Sequence, residues 1–274
     1  MKAKKTLYLS DLDGTLLTSS RVVSEVSRDI INRLIKDGML FSYATARSIV
    51  SAEIVTKGLK IHIPVILFNG VFLLEQNSQK VICGNYFDDS IYEVFETLFS
   101  YGIYPFVSAH IDGVEKVSFI EEKFTRGMQI FQESRTGDRR MRPVRTTEQL
   151  TAGDCFYLTC IDEPEKLEPL YERYQERYHM VYYRDIYSGE QWLEFMPQTA
   201  SKANAAMQLK RLLECDRLVV FGDGKNDMDM FEAADECYAA ENAVDELKEM
   251  ATGIIGSNEE DGVARWLEEN VHGL

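Results

Sequence analysis

The chain lacks most features that would tie it to a membrane, an oxidising compartment or a nucleic acid. No apolar run approaches the roughly 18 residues that a membrane-spanning helix needs, so no helical span is expected. The lysine-rich start (Lys2, Lys4, Lys5) imitates the charged head of a signal peptide. The apolar stretch behind it is too short for that reading and ends at Asp11. Cysteine is scarce: Cys83, Cys155, Cys160, Cys215 and Cys237 are odd in number and form no C-x-x-C pair. That usage argues for reduced thiols in a cytoplasmic protein, not for a disulfide framework. The four histidines, His62, His110, His179 and His272, show no ligand spacing. Positive charge is in deficit, with 30 basic against 45 acidic residues and a net charge of -15. Nucleic acid and anionic membrane surfaces demand the opposite balance and are not expected partners. A small anionic molecule remains compatible, because a local lysine or metal ion can override the global field. Internal repeats and low-complexity segments are also missing.

What is present is a globular composition of 274 residues, 45% of them hydrophobic, enough for one large domain or two smaller ones. The first 80 residues alternate strand and helix. Thr6–Leu9, Met39–Tyr43 and Pro64–Phe68 read as strands, the last closed by the turn pair Asn69-Gly70. Ser24 is placed to cap a helix carrying Val26, Ile30, Ile31, Leu34 and Ile35 and ended by Gly38, and Ser48–Lys57 makes a second helix. Such alternation predicts a parallel sheet covered by helices. Between about 80 and 190 the pattern changes to clustered strands (104–107, 117–120, 156–161, 180–183) with two amphipathic helices. The tyrosines of the second helix, Tyr171, Tyr174 and Tyr178, read as packing residues, and Arg135–Arg145 as a basic, mobile loop. After 190 the alternation returns, with helices at 201–213, 228–234 and 262–270 and strands at 217–221, 237–239 and 253–255. The fold class expected is α/β: a Rossmann-like parallel-sheet core of residues 1–82 and 188–274, interrupted by an α+β insertion at 83–187.

Four short segments fall at strand ends or helix starts, where open parallel sheets form their binding crevice. Asp11-Leu12-Asp13-Gly14-Thr15 follows the first strand, and Thr45 and Arg47 follow the second. Gly222-Asp223-Gly224-Lys225-Asn226-Asp227 follows the strand at 217–221. Lys202 opens the helix at 201–213, where free N–H groups favour an anion. Asp-x-Asp-Gly alone could be a strand-to-turn corner. Two carboxylates about 4 Å apart, however, repel by roughly 4 kcal/mol at an effective dielectric near 20, which calls for a compensating cation or proton. The Asp223 segment is not a calcium loop, since Lys225 and Met228 occupy positions that such a loop gives to an oxygen ligand and a glycine. Convergence of Asp11, Asp13, Asp223 and Asp227 opposite Thr45 and Lys202 would suit a hard cation such as Mg²⁺ together with a phosphoryl group. One carboxylate could then attack phosphorus while another moves a proton.

With Glu241-Asn242-Ala243 and the stretch Ser257–Ala264 added in order, the sequence resembles the haloacid dehalogenase superfamily, and within it the Cof-type phosphatases with a large α/β cap. The resemblance implies Mg²⁺-dependent hydrolysis of a small phosphorylated metabolite, such as a sugar phosphate or phosphorylated cofactor, through an aspartyl-phosphate. It implies Asp11 as nucleophile and Asp13 as general acid, then base. Asp11, the Asp13 carbonyl, Asp223 and Asp227 would serve the metal. Leu12 (through its N–H), Thr45, Lys202 and Asn226 would hold the phosphoryl group. Arg47, Asn69, Gly70 and Asn242 would lie at the substrate pocket, and the cap would close over the site and choose the leaving group. Ala46, Ala203 and Glu241 stand where relatives commonly have glycine, which bears on pocket shape. A phosphotransferase or mutase on the same fold is the alternative. A non-catalytic binding protein would be expected to have lost one of the key carboxylates or Lys202, and none is lost.

Overall fold

The computed structural model describes residues 5–271 apart from 77, 79, 186 and 187; Lys2, Lys4, Tyr187 and His272 lie outside the described residues. The chain divides into two compact units, Met1–Gly84 with Ala200–Leu274, and Asn85–Thr199. Among the described residues no helix is long and apolar enough to cross a membrane.

In the first unit, five strands form an all-parallel sheet in the spatial order Gly253–Ile255, Glu236–Ala240, Arg217–Gly222, Thr6–Ser10, Leu40–Tyr43. Its central pair is in register from Thr6 opposite Arg217 to Ser10 opposite Phe221. That register brings the ends of both strands, and the aspartates beyond them, to the same edge. Leu7, Leu9, Leu218 and Val220 are fully buried on one face, against Ala205, Ala206 and Leu209 of the helix Lys202–Leu212. The helix Glu25–Lys36 starts where Ser24 Oγ accepts the Ser27 N–H at 2.9 Å and ends at Asp37, before Gly38 with φ +110°. A small antiparallel sheet, Val65–Leu67, Phe72–Glu75 and Lys80–Gly84, follows the second helix. Its last two strands were not foreseen from the sequence.

The second unit is a six-stranded sheet in the order His179–Arg184, Gln191–Met196, Asp154–Ile161, Phe106–Ile111, Val114–Phe119, Met141–Pro143. The helices Ile91–Ser100 and Pro164–Tyr174 cover one face through Val94, Leu98, Leu167 and Leu170. Tyr174 and Tyr178 are buried in that layer and Tyr171 stacks on Tyr182 at 5.5 Å, so the tyrosine stripe is packing. A helix the sequence reading missed, Arg126–Glu133, packs with Phe106, Phe119 and Trp192 in a second apolar cluster. The sequence reading ended this unit at 187. It runs to Thr199, because Gln191–Met196 pairs on both sides within the second sheet.

The stretch 135–145 also differs from expectation. Met141–Pro143 pairs in parallel with Val117–Phe119, and Arg135 lies over the Phe131 ring at 3.4 Å. Arg140 is largely buried between Glu115 and Asp138, each 2.6 Å away. Its hydrogen bonds hold the Asp138 carboxyl below the usual carboxylate range. Arg140→Met removes the guanidinium shared by two part-buried carboxylates, leaving Asp138 only the backbone N–H of residue 140, and is expected to cost about 1–3 kcal/mol at pH 7. Because the folded-state pKa of Asp138 is lowered, this contribution is full above about pH 4 and fades as pH falls through the folded value. Urea unfolding of wild type and variant should therefore converge towards pH 2; an equal gap at pH 7 and pH 2 would refute the assignment.

Candidate active site

The loop ends of the first unit gather the acidic and basic residues picked out in the sequence. Asp11 leaves the end of its strand with its N–H bonded to the Phe221 carbonyl at 2.9 Å, which ties it to the strand that delivers Asp223. The Leu12 carbonyl accepts the N–H groups of Thr15, Leu16 and Leu17 at 3.3, 3.1 and 2.8 Å, curling the chain into a tight turn. Gly14 sits in that turn at φ +80°, and a Cβ there would overlap Asp223 Oδ2. Only glycine allows both the backbone conformation and the close approach.

Lys202 is the cation at the centre. Its Nζ donates to Asp11 Oδ1 at 2.6 Å and to Asp227 Oδ1 at 2.7 Å, and its side chain has no solvent exposure. Placing a lysine in the first turn of a helix opposes the helix dipole, so these two carboxylates must supply the compensation. Burial would push the Lys202 pKa down, but Asp11 and Asp227 outweigh it and hold the ammonium above the usual lysine range. Ser201 caps this helix, its Oγ accepting the Asn204 N–H at 3.1 Å. Gly70 (φ +97°) packs so closely on the cap that a Cβ would overlap the Ser201 carbonyl oxygen. Phe68 and Asn69 precede it with φ of +50° and +53°, conformations that L-residues rarely adopt. The strained turn is thus pressed against the helix end that carries Lys202. Strain of this kind persists only where the surroundings enforce it.

The acidic side is as closely organised. Asp227 Oδ2 accepts the N–H groups of Asp223 and Gly224, both at 3.0 Å, while its Oδ1 faces Lys202. Thr15 Oγ1 donates to Asp223 Oδ1 at 2.7 Å. Asp11, Asp223 and Asp227 each offer an oxygen within 4.8 Å of the others. Burial pushes the Asp11 carboxyl well above the usual range; Lys202 pulls it back, and Asp227 and Asp223 push it up further. Asp223 is raised to about 7, by burial first and the charge of Asp227 second. Three carboxylates facing one ammonium leave an excess of two negative charges. The donor set therefore fits a divalent cation with hard oxygen ligands.

Asp13 stands apart from that trio. Arg47 grips it with both arms, Nε to Oδ2 and Nη2 to Oδ1, each at 2.6 Å. Such a two-point pair fixes the plane of the carboxylate. Thr45 is buried, its N–H bonded to the Ile66 carbonyl at 3.0 Å and its Oγ1 accepting the Arg47 N–H at 3.2 Å. Asn226 Nδ2 donates to Asn69 Oδ1 at 3.3 Å, linking the Asp223 loop to the strained turn. Asn242, expected at the pocket, donates to the Gly14 carbonyl at 2.7 Å. Arg47 and Gly70, expected there too, are engaged with Asp13 and Ser201. Sequence reasoning gave Thr15 no separate task, although it completes the Asp-x-Asp-Gly-Thr motif. It gave Asn258, within the Ser257–Ala264 stretch, no separate task either; its side chain donates to the Leu17 carbonyl, a backbone partner that no spacing rule reveals.

Comparison with known proteins agrees with this arrangement. A family model described as haloacid dehalogenase-like hydrolase matches residues 8–267. Among curated proteins, the chain is 27% identical to the 5-amino-6-(5-phospho-D-ribitylamino)uracil phosphatase YwtE of Bacillus subtilis, over 96% of this chain and 97% of that one. It is equally 27% identical to a second phosphatase of that description from the same organism, YitU, over 98% of both chains. Among solved structures, an X-ray structure of a Thermotoga maritima protein superposes with a TM-score of 0.78 at 26% identity, covering 98% of both chains. With nearly its whole length matched and its charged residues drawn together at the sheet edge, the chain belongs to the haloacid dehalogenase-like hydrolases.

Proposed function

We propose that this hydrolase is a Mg²⁺-dependent phosphatase that cleaves small phosphate monoesters in two steps through Asp11. The observation that carries the reading is the buried Lys202 ammonium shared by Asp11 and Asp227, beside an Asp13 held separately by Arg47. The two aspartates of one motif thereby have different partners and are suited to different tasks. The relatives named above act on a phosphorylated ribitylamino compound, which favours a phosphorylated polyol, sugar or cofactor as substrate.

In the first step, an Asp11 carboxylate oxygen forms a bond to phosphorus as the bond to the leaving oxygen breaks. Asp13 gives that oxygen its proton. Lys202 lies against the attacking group and offsets the charge of nucleophile and phosphoryl oxygens together, and Thr45 and Asn226 hold the phosphoryl group. In the second step, Asp13 takes a proton from water as the water oxygen bonds to phosphorus and the Asp11–phosphorus link breaks, restoring the Asp11 carboxylate and the proton on Asp13. Asp11, Asp223, Asp227 and the Asp13 carbonyl would hold Mg²⁺. When bound, the ion supplies positive charge to the phosphoryl oxygens and cancels the excess negative charge of the site.

Phosphate release from an aryl phosphate and from a panel of phosphorylated sugars and cofactors tests the reading. Asp11→Asn is expected to abolish turnover, and Asp13→Asn to lower kcat about 10²- to 10⁴-fold. Turnover only when an acceptor alcohol is added would instead identify a phosphotransferase.

Metal binding has a readout that needs no substrate. Millimolar Mg²⁺ is expected to raise the melting temperature of the wild type, since a ligand at about 100 times its Kd stabilises by about 2.7 kcal/mol. Asp223→Asn should lose most of that shift. An equal shift in wild type and variant would remove Asp223 from the metal site.

A further inference from the structure

Two sequence motifs have no direct part in the chemistry above, Glu241-Asn242-Ala243 and Ser257–Ala264, and both converge on the loop that follows Asp13. Asn242 Nδ2 donates to the Gly14 carbonyl at 2.7 Å. The Asn258 N–H donates to Asn242 Oδ1 at 3.1 Å, and Asn258 Nδ2 donates to the Leu17 carbonyl at 2.8 Å. Further along, the Ser19 N–H donates to Glu259 Oε1 at 2.5 Å. Asp261 Oδ1 accepts from Ser24 Oγ, and from Ser27 Oγ at 2.8 Å, at the start of the first helix. The segment from Gly14 to Ser27 is thus pinned at intervals by residues more than 200 positions downstream.

The mount for these pins is itself rigid. Ser257 donates to Glu260 Oε2 from its N–H at 3.1 Å and from its Oγ at 2.9 Å. Asp261 has φ +59°, and a Cβ on Gly262 would overlap the Gly256 carbonyl oxygen. The pinned loop, by contrast, has only short local turns of its own, on the Leu12 carbonyl and between Thr18 and Arg21–Val22. Asp13 sits inside that turn, between the carbonyl that closes it and the Gly14 carbonyl that Asn242 holds.

We infer that Asn242 and Asn258 are positioning residues for Asp13. They hold the Gly14–Leu17 turn, and through it the proton-transferring carboxyl, at a fixed distance from Asp11. Neither residue touches the reacting atoms. The effect on rate rests on the phosphatase reading; the clamp on the loop does not.

The test joins kinetics to amide hydrogen exchange in Asn258→Ala and Asn242→Ala. Because kcat/KM reports only the steps up to departure of the leaving group, it isolates proton donation by Asp13. An aryl phosphate leaves with little help, whereas an alkyl phosphate needs the proton. Misplacement by about 1 Å costs about 100-fold. The expected result is therefore a fall of about 10- to 100-fold in kcat/KM on an alkyl phosphate, with less than about a threefold fall on an aryl phosphate. Exchange at the Leu16 and Leu17 amides should quicken in both variants. Should Asn242→Ala fail to fold, Asn258→Ala, which retains the Asn242 bond to Gly14, decides alone. An equal fall on both substrates, or unchanged exchange at Leu16 and Leu17, overturns the inference. A wild type that releases phosphate from neither substrate would instead sink the phosphatase reading, and the exchange measurement would still decide the clamp.

Discussion

An ammonium with no access to solvent stays charged only if its neighbours supply the counter-charge, and Lys202 is such a group. Desolvation of a lysine costs several kcal/mol, and of a carboxylate as much again, so the trio of Lys202, Asp11 and Asp227 is sustained only by short, well-aimed contacts. That requirement propagates outwards. Asp227 can face Lys202 with one oxygen because its other oxygen is anchored by two backbone N–H groups of its own loop. Lys202 can reach both carboxylates because the end of its helix is fixed against Gly70. Asp11 is placed by its bond to the neighbouring strand. Remove any one of these supports and a buried charge loses its partner.

The same electrostatics separate the two aspartates of the first motif. They are one residue apart in sequence, yet Asp11 shares its environment with Lys202 and the other acids, whereas Asp13 belongs to Arg47. A strand places successive side chains on opposite faces, but these residues lie just past the strand end, where the turn on Leu12 redirects the chain. The tight turn with glycine at its third position resolves the geometric problem of aiming two carboxylates into one crevice without placing them in contact. The close approach of Asp223 to Gly14 then brings in the third acid.

Much of this was legible in the sequence, because the chemistry lies in short segments at strand ends and the core alternates strand and helix with clear caps. Gly38, Ser24, Ser201 and the Asn69-Gly70 turn all do locally what their residue types favour. What was not legible depended on partners distant in sequence. The strand Gln191–Met196 joins the second sheet because Asp154–Ile161 and His179–Arg184 leave room between them, which no local pattern announces. Arg140 reads as a loop cation until Glu115 is seen beside it, 25 residues earlier in the chain. The bond from Asn242 to Gly14 could not be read in advance, because the Gly14 carbonyl is a backbone group that carries no side-chain signature.

The chain's net charge of -15 and an anionic substrate are reconciled by distance. At physiological ionic strength, interactions between exposed charges are largely screened beyond about 8 Å. The surface excess of acid therefore has little say at the reacting centre. What counts there is the local balance: two buried carboxylates and a partly buried one, one buried ammonium, and Asp13 paired with Arg47. With all three carboxylates ionised that balance is negative by two charges, which a divalent cation would neutralise. Burial and the neighbouring carboxylates accordingly push the pKa values of Asp11 and Asp223 upwards. The excess charge of the trio and the upward shifts of Asp11 and Asp223 thus have one origin, the burial and crowding of three carboxylates around a single ammonium.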